Sequence, residues 1–347
     1  MRPDNQQNAG NPLLAPETTG PLDPAAGPAP DFAVETIGLR KVYRQRAGGA
    51  GSPKVAVEAL KGLDLQVPRG SFFALLGPNG AGKSTFINIL AGLVVKSGGT
   101  ARVWGHDIET DMRAARLSLG VVPQELNLDP FFTPRELLEV QAGLYGLAAD
   151  RRHIDGILAA VGLSDKAEAY ARSLSGGMRR RLLVAKAMVH TPPVLILDEP
   201  TAGVDVELRR QLWDSMRRLN AAGTTILLTT HYLEEAQALC DRVAIIDHGE
   251  LVACEPTADL LARLDAKEML ITVDRDMADV PEGLKAFHVE RPGPRQVRVS
   301  FPPSQAHSGH IITAVQDAGF TITNLSTKEA ALEDVFLRLT GSGKAAS

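Results

Sequence analysis

Gly77-Pro78-Asn79-Gly80-Ala81-Gly82-Lys83-Ser84-Thr85 constrains this chain more than any other stretch. The apolar run Phe72-Phe73-Ala74-Leu75-Leu76 precedes it and is short enough to be a buried strand. Phe86, Leu90 and Leu93 follow at i, i+4 and i+7, the spacing of a helical stripe. Strand, glycine-rich loop and helix in that order form the context in which G-x-x-x-x-G-K-[ST] cradles phosphates. Backbone N–H groups can wrap a phosphate closely only where side chains are absent, which accounts for Gly77, Gly80 and Gly82. The positive end of the following helix then faces the anion. Lys83 is expected to reach the β- and γ-phosphates, Ser84 to hold Mg²⁺, and Thr85 to sit near the α-phosphate.

The rest of the chain alternates helix and strand around this loop. Residues 1 to about 31 hold seven prolines and three glycines and read as a disordered extension. From Phe32, Ala33–Ile37 and Leu65–Val67 read as strands separated by a Gly-rich loop from Ala47 to Lys54. Thr100–Trp104 and Leu119–Val122 are further strand candidates, and a helix-rich region follows from about 125 to 175. There, Thr133-Pro134-Arg135-Glu136 is a capping box with proline at the first helical position. A second amphipathic helix carries Ile154, Ile157, Leu158 and Val161 and ends at Gly162.

Beyond it come a helical stripe (Met178, Leu182, Ala185, Val189), a strand (Val194–Leu197), a second stripe (Leu208, Leu212, Met216, Leu219) and the strands Thr225–Thr230 and Val243–Ile246. The pattern predicts an α/β fold: a parallel sheet covered by helices, with a helical insertion. The expected divisions are an extension over 1–31, a nucleotide-binding domain over 32–264 and a small α+β domain over 265–341. The last has strands at Met269–Val273, Gln296–Phe301 and Thr321–Leu325. Its final helix is read as starting at a capping box, Ser326-x-x-Glu329, bearing Leu332, Val335, Phe336 and Leu339, and ending at Gly341.

Composition removes several alternatives. Net charge is −4 over 347 residues, which argues against a protein that grips nucleic acid by neutralising phosphates. Arg179-Arg180-Arg181, the densest basic run, reads as a solvated helix face. Cys240 and Cys254 are too few for a disulfide framework or a zinc cluster. No run approaches the ~18 apolar residues of a membrane-spanning helix, so the chain reads as cytoplasmic, and any membrane role needs a separate partner.

Three more stretches carry chemistry. Val194-Leu195-Ile196-Leu197-Asp198-Glu199 is an apolar strand ending in two carboxylates. Asp198 suits the metal shell beside Ser84, and Glu199 suits polarisation of an attacking water, which γ-phosphate hydrolysis needs. His231 ends the strand Thr224–His231, at the sheet edge where open α/β folds bind ligands. Leu174-Ser175-Gly176-Gly177-Met178 opens a helix with serine and two glycines, a second anion-binding device or a plain N-cap turn. As an anion clamp it is redundant for a single phosphate loop, so it would serve another molecule's nucleotide.

In this order, the set resembles the ATP-binding subunits of ABC (ATP-binding cassette) transporters over roughly residues 32 to 262. The resemblance implies that Tyr43 stacks on adenine. It makes Gln124 the residue that senses Mg²⁺ and the attacking water and contacts a permease, and His231 the switch histidine at the γ-phosphate. Asp205, within Ala202-Gly203-Val204-Asp205, would couple two sites across a dimer. Two positions depart from the family pattern: Met178 stands where many members have Gln, and Ala202 where Ser is usual. The run Leu332–Thr340 is similar to the tail of the branch that includes drug, polysaccharide and sodium exporters.

The implied protein is an ATPase that binds ATP and Mg²⁺, pairs as a homodimer and drives a separately encoded integral-membrane permease from the cytoplasmic face of the cell membrane. The alternative from another class is a soluble ATPase of the same family acting on ribosomes or DNA. One cassette and no sustained heptads count against it. A guanine nucleotide is disfavoured, since no Asn-Lys-x-Asp element occurs.

Overall fold

The computed structural model describes residues 29–46, 54–262, 267–277, 279–302, 305–329 and 332–340. Most of the extension expected to be disordered, the Gly-rich loop before Lys54 and the expected helix stop at Gly341 lie outside the described residues. The chain divides into two compact units, Met1–Cys254 and Glu255–Ser347.

In the first unit, β1 (Phe32–Arg46) and β2 (Lys54–Pro68) lead into β3 (Phe72–Leu76) and α1 (Lys83–Leu90). Next come β4 (Gly98–Val103), β5 (His106–Asp107), α2 (Met112–Leu117), β6 (Leu119–Val122), α3 (Pro134–Leu144) and α4 (Ile154–Ala160). The unit continues through α5 (Gly176–Met188), β7 (Val194–Asp198), α6 (Val206–Ala221), β8 (Thr225–Thr229), α7 (Leu233–Leu239), β9 (Arg242–Asp247) and β10 (Glu250–Pro256). The main sheet has the order β10-β9-β3-β8-β7-β6, and β9, β3, β8, β7 and β6 run parallel. Strands β3 and β8 are buried along their whole length, and β7 is buried from Val194 to Leu197. Such unbroken apolar runs are what a sheet covered on both faces requires.

This sheet sets the site. Register pairs Leu75 of β3 with Thr229 of β8, and Asp198 of β7 with the same Thr229. The loops leaving the carboxyl ends of β3, β7 and β8 therefore emerge side by side, at the edge where open α/β sheets bind ligands.

Several expectations need correction. The first unit holds a second, antiparallel sheet, β2-β1-β4-β5, which periodicity did not reveal. Strands β1 and β2 each run 15 residues and pair from Phe32↔Pro68 to Arg46↔Lys54, far beyond the short runs expected. Bulges between Thr36 and Arg40 and between Lys41 and Val42 broke the alternation that would have marked them. Leu93 lies past the end of α1 and is 76% exposed, so it is no part of that helix's buried stripe. Between 125 and 175 the regular structure is helical, namely α3, α4 and three short 3₁₀ turns, and the capping box at Thr133 is formed in both directions. Glu136 N–H donates to Thr133 Oγ1 at 3.2 Å and Thr133 N–H to Glu136 Oε2 at 2.8 Å.

The arginine run is not a solvated face. Arg180 is 4% exposed, because α5 is packed nearly all round and buries Leu182, Leu183, Val184, Ala185 and Ala187 as well.

In the second unit, α8 (Thr257–Ala262) precedes β11 (Lys267–Val273), β12 (His288–Gly293), β13 (Gln296–Phe301), α9 (Ser308–Asp317), β14 (Ile322–Glu329) and α10 (Leu332–Leu339). The sheet order is β12-β13-β11-β14, with every pair antiparallel. Met269, Ile271, Val273, Val297, Val299 and Phe301 alternate inward onto Ile311 and Val315 of α9. Strand β12 and helix α9 were not anticipated. Ser326 and Glu329 do not open a helix: both belong to β14, opposite Leu270 and Lys267 of β11. Cross-strand pairing overrode a four-residue capping pattern, and the helix starts later, at Leu332. Of its stripe, Leu332 and Val335 are buried, and α10 packs on α8 of the same unit.

Candidate functional site

The loop from Gly77 to Gly82 is shaped by close approach. A Cβ on Gly77 would lie 2.3 Å from the Ile246 carbonyl oxygen, and one on Gly82, at φ +111°, 2.7 Å from that of Ala59. Glycine is thus demanded by the chain's own backbone at both positions. Lys83 begins α1 and is 7% exposed, with Nζ donating to the carbonyls of Gly77 (2.6 Å) and Pro78 (3.2 Å). Burial pulls its pKa down, while the Glu199 and Asp198 carboxylates nearby push it back up. Ser84 presents an exposed hydroxyl one residue on.

Asp198 and Glu199 leave β7 together but are held differently. Asp198 Oδ1 accepts from Thr229 Oγ1 at 2.5 Å. Glu199 sits at φ +46°, the left-handed region that a branched or bulky residue avoids. Its N–H donates to the carbonyl oxygen (3.0 Å) and to Oγ1 (3.2 Å) of Thr229. This backbone kink turns the carboxylate out of the sheet, where Gln124 Nε2 donates to Oε2 at 3.0 Å and His231 Nδ1 lies 3.3 Å from Oε1. The ends of β7 and β8 and the Gln124 loop that follows β6 therefore converge on one carboxylate.

Behind this cluster, the His231 ring packs on Tyr232 with centroids 4.0 Å apart, and Arg209 of α6 lies over Tyr232 at 4.9 Å. Glu235, fully buried on α7, accepts from Thr201 Oγ1 (3.1 Å) and Trp213 Nε1 (2.9 Å). Burial pushes its carboxyl pKa up.

The other predicted residues form a second group. Ser175 is the N-cap of α5, its side chain accepting from Met178 N–H at 3.3 Å. A Cβ on Gly177 would stand 2.6 Å from Leu208 Cδ2, whereas one on Gly176 would meet nothing within 4 Å. Asp205 caps α6 by accepting from Leu208 N–H at 2.9 Å, so Gly177 and Asp205 meet through Leu208. Among the described residues no hydrogen bond or ion pair joins Ser175, Gly176, Gly177 or Asp205 to the phosphate loop or to Glu199. Tyr43 stands apart on β1, with Lys41 Nζ 4.7 Å from its ring centroid.

Sequence reasoning missed three contributors. Thr229 holds the Asp198 carboxylate and the Glu199 backbone N–H, and a hydroxyl-bearing β-branched residue at the end of an apolar strand is a usable sign of it. Glu235 follows His231 by four residues, one helical turn on. Arg180 donates from Nη1 to the carbonyls of Pro123 (2.9 Å) and Gln124 (2.8 Å) and carried no sign at all.

The ABC transporter family model matches residues 60–202, from β2 to just beyond Glu199. A Nod factor export ATP-binding protein of Ralstonia nicotianae is 38% identical over 92% of this chain and 97% of its own length. The daunorubicin/doxorubicin resistance ATP-binding protein of Streptomyces peucetius is 36% identical over 90% and 93%. The linearmycin resistance ATP-binding protein of Bacillus subtilis is 35% identical over 81% and 93%. Among solved structures, the ATP-binding subunit of an ABC transporter superposes with a TM-score of 0.56 at 28% identity, over 67% of this chain and 93% of that one. An ATP-binding cassette solved as a dimer in a post-hydrolysis state with ADP and Pi gives 0.56 at 25% identity, over 65% and 98%. Nucleotide-binding geometry, fold and relatives along nearly the whole chain agree: this protein belongs to the ABC transporter family of ATP-binding, ATP-hydrolysing subunits.

Proposed function

We propose that the chain powers export through a separate integral-membrane permease, as one of two identical cassettes working at the cytoplasmic face of the membrane. The observation that carries the hydrolytic part is the Gln124–Glu199–His231 cluster. Glu199 orients the attacking water and takes its proton. Gln124 and His231 fix the two carboxylate oxygens, so the base meets the water without reorganising. Lys83 neutralises the β- and γ-phosphates, and Tyr43 stacks on adenine.

Mg²⁺ fits the donors present. With Nε2 given to Glu199, Gln124 retains Oε1, and together with the Ser84 hydroxyl and Asp198 this makes the oxygen set a hard cation prefers. The ion would neutralise charge on the phosphates. Ser175, Gly176 and Gly177 act on the ATP of the second copy, and Asp205 lies at the seam between the two sites.

The first unit offers a place for the permease. A cavity of about 410 Å³ is lined by Leu93, Tyr145 and Leu183, and by Pro123 and Asn127 on either side of Gln124. Leu93, which lines it, is 76% exposed, and Leu144, next to Tyr145 in sequence, is 78% exposed. Among the described residues no helix is long and apolar enough to cross a membrane. The curated relatives are named for export or for resistance, and this supports the outward direction.

Affinity purification from detergent-solubilised membranes tests the assignment. The expected result is a co-purifying polytopic protein that raises ATP turnover on reconstitution and is lost with Leu93→Asp. Recovery of ribosomes or DNA instead, with no membrane protein, would overturn it.

A further inference from the structure

Three consecutive arginines on α5 have three different environments, and the middle one is the least expected. A guanidinium is costly to bury unless a carboxylate or a set of acceptors compensates. Arg180 is 4% exposed, and no carboxylate among the described residues lies within ion-pair distance of it. Its pKa is pushed down by burial alone. A methionine or leucine would fill this space without that penalty. The compensation comes from one nitrogen, Nη1, which donates to two successive carbonyls, those of Pro123 and Gln124. Next to it, Arg181 Nη1 donates to the carbonyls of Val161 (3.1 Å) and Gly162 (3.0 Å), so α5 is also tied to the end of α4.

These contacts form a short line through the molecule. Ser175, Gly176 and Gly177 open α5, and Arg180 follows one helical turn later. It grips the backbone at Gln124, whose side chain reaches Glu199 at 3.0 Å. We propose that Arg180 is a positioning residue for hydrolysis: it sets the backbone of Gln124 so that the amide reaches Glu199, and so ties the placement of Gln124 to that of α5. A displacement of α5 then moves Gln124 relative to the water-orienting carboxylate. The inference rests on the proposed roles of Gln124 and Glu199.

Steady-state ATPase measurements on the full chain test it by a double-mutant cycle. Arg180→Met should lower kcat roughly 10- to 100-fold, the scale at which an ångström of misplacement acts, with KM and ADP affinity unchanged within about twofold. In a Gln124→Ala background, Arg180→Met should change kcat by less than about twofold, because the route through Gln124 is already gone. Arg180→Lys should recover much of the loss, since both bonds come from a single nitrogen.

An equal loss in both backgrounds, or a parallel loss of ADP affinity, would overturn the role of Arg180 while leaving Gln124 in place. A Gln124→Ala protein with normal kcat would instead remove the role of Gln124, and the proposal with it. If Arg180→Met does not fold, the same cycle with Arg180→Gln gives the same two readouts.

Discussion

Two glycine-rich helix starts lie in the first unit, and their glycines answer to different constraints. At the start of α1, Gly77 and Gly82 are held glycine by this chain's own backbone, the Ile246 and Ala59 carbonyls. At the start of α5, Gly177 is held by the movable end of Leu208, and Gly176 by nothing within 4 Å. The first loop is therefore a finished object, with Lys83 folded onto its carbonyls. The second is an exposed helix end whose open side is not accounted for inside the chain. A feature that its own fold does not explain is the place to look for a second molecule, and the second copy proposed above would supply one.

The largest effect that would sharpen this contrast is on Glu199. Glu199→Gln should cut turnover by about 10²–10⁴ while leaving ATP bound. Unspent ATP, held between the loop of one copy and Ser175–Gly177 of the other, should accumulate the dimer. Sedimentation with and without Mg-ATP reads this directly, and near-normal hydrolysis would remove Glu199 from the mechanism.

Gly176→Asp comes next. It meets no steric obstacle, so the protein should fold and bind ATP normally, yet lose about 100-fold in turnover as its carboxylate repels the partner's phosphates. Turnover equal to the unmodified protein would make the α5 start a plain N-cap turn.

Gly77→Ala should act on the fold itself. A Cβ against a backbone carbonyl cannot be relieved by a rotamer change, so a loss of about 1–3 kcal/mol in unfolding free energy is expected, with weakened nucleotide binding. Denaturant titration checks the first part and ADP titration the second; an unchanged midpoint would contradict the close approach.

The smallest change is Gly177→Ala. Alone it should move stability by less than about 1 kcal/mol, since Leu208 can turn aside. In a Leu208→Ala background it should become stabilising by about 0.5–1 kcal/mol, the helix propensity gained on losing glycine. The same denaturant titration on both pairs decides, and a larger penalty in the Leu208→Ala background would mean that another neighbour sets the glycine.

What could be read from the residues follows the same division. Gly77–Thr85, Asp198, Glu199 and the Thr133 capping box were legible because local chemistry dictates both residue type and spacing. Buried strands β3, β7 and β8 were legible because both of their faces are apolar. What escaped notice depends on distant partners. The β1–β2 ribbon is held by register between strands with bulges. Ser326 and Glu329 were captured by β11 across the sheet. Arg180 reads as a surface charge until the Gln124 loop is seen folded over it. The convergence of Gln124, Glu199 and His231 was expected from resemblance, but its geometric cause, Thr229 gripping two neighbouring residues at once, needed the fold.

The strand order β10-β9-β3-β8-β7-β6 has a consequence for how the protein is made. The strand that carries the phosphate loop, Phe72–Leu76, has as its neighbours Thr225–Thr229 and Arg242–Asp247, which leave the ribosome much later. At about 5–20 residues per second, the loop waits on the order of ten seconds or more for its flanking strands. During that interval both hydrogen-bonding edges of the strand lack their native partners, although Phe73 and Leu75 can already pack on Leu60, Leu63 and Phe86, while α3 and α4 can form from local contacts. Nascent chains stalled short of Asp247 should fail to retain ATP, and chains extended through Pro256 should acquire it in one step. The phosphate loop is encoded early, and the strands on either side of it are encoded late.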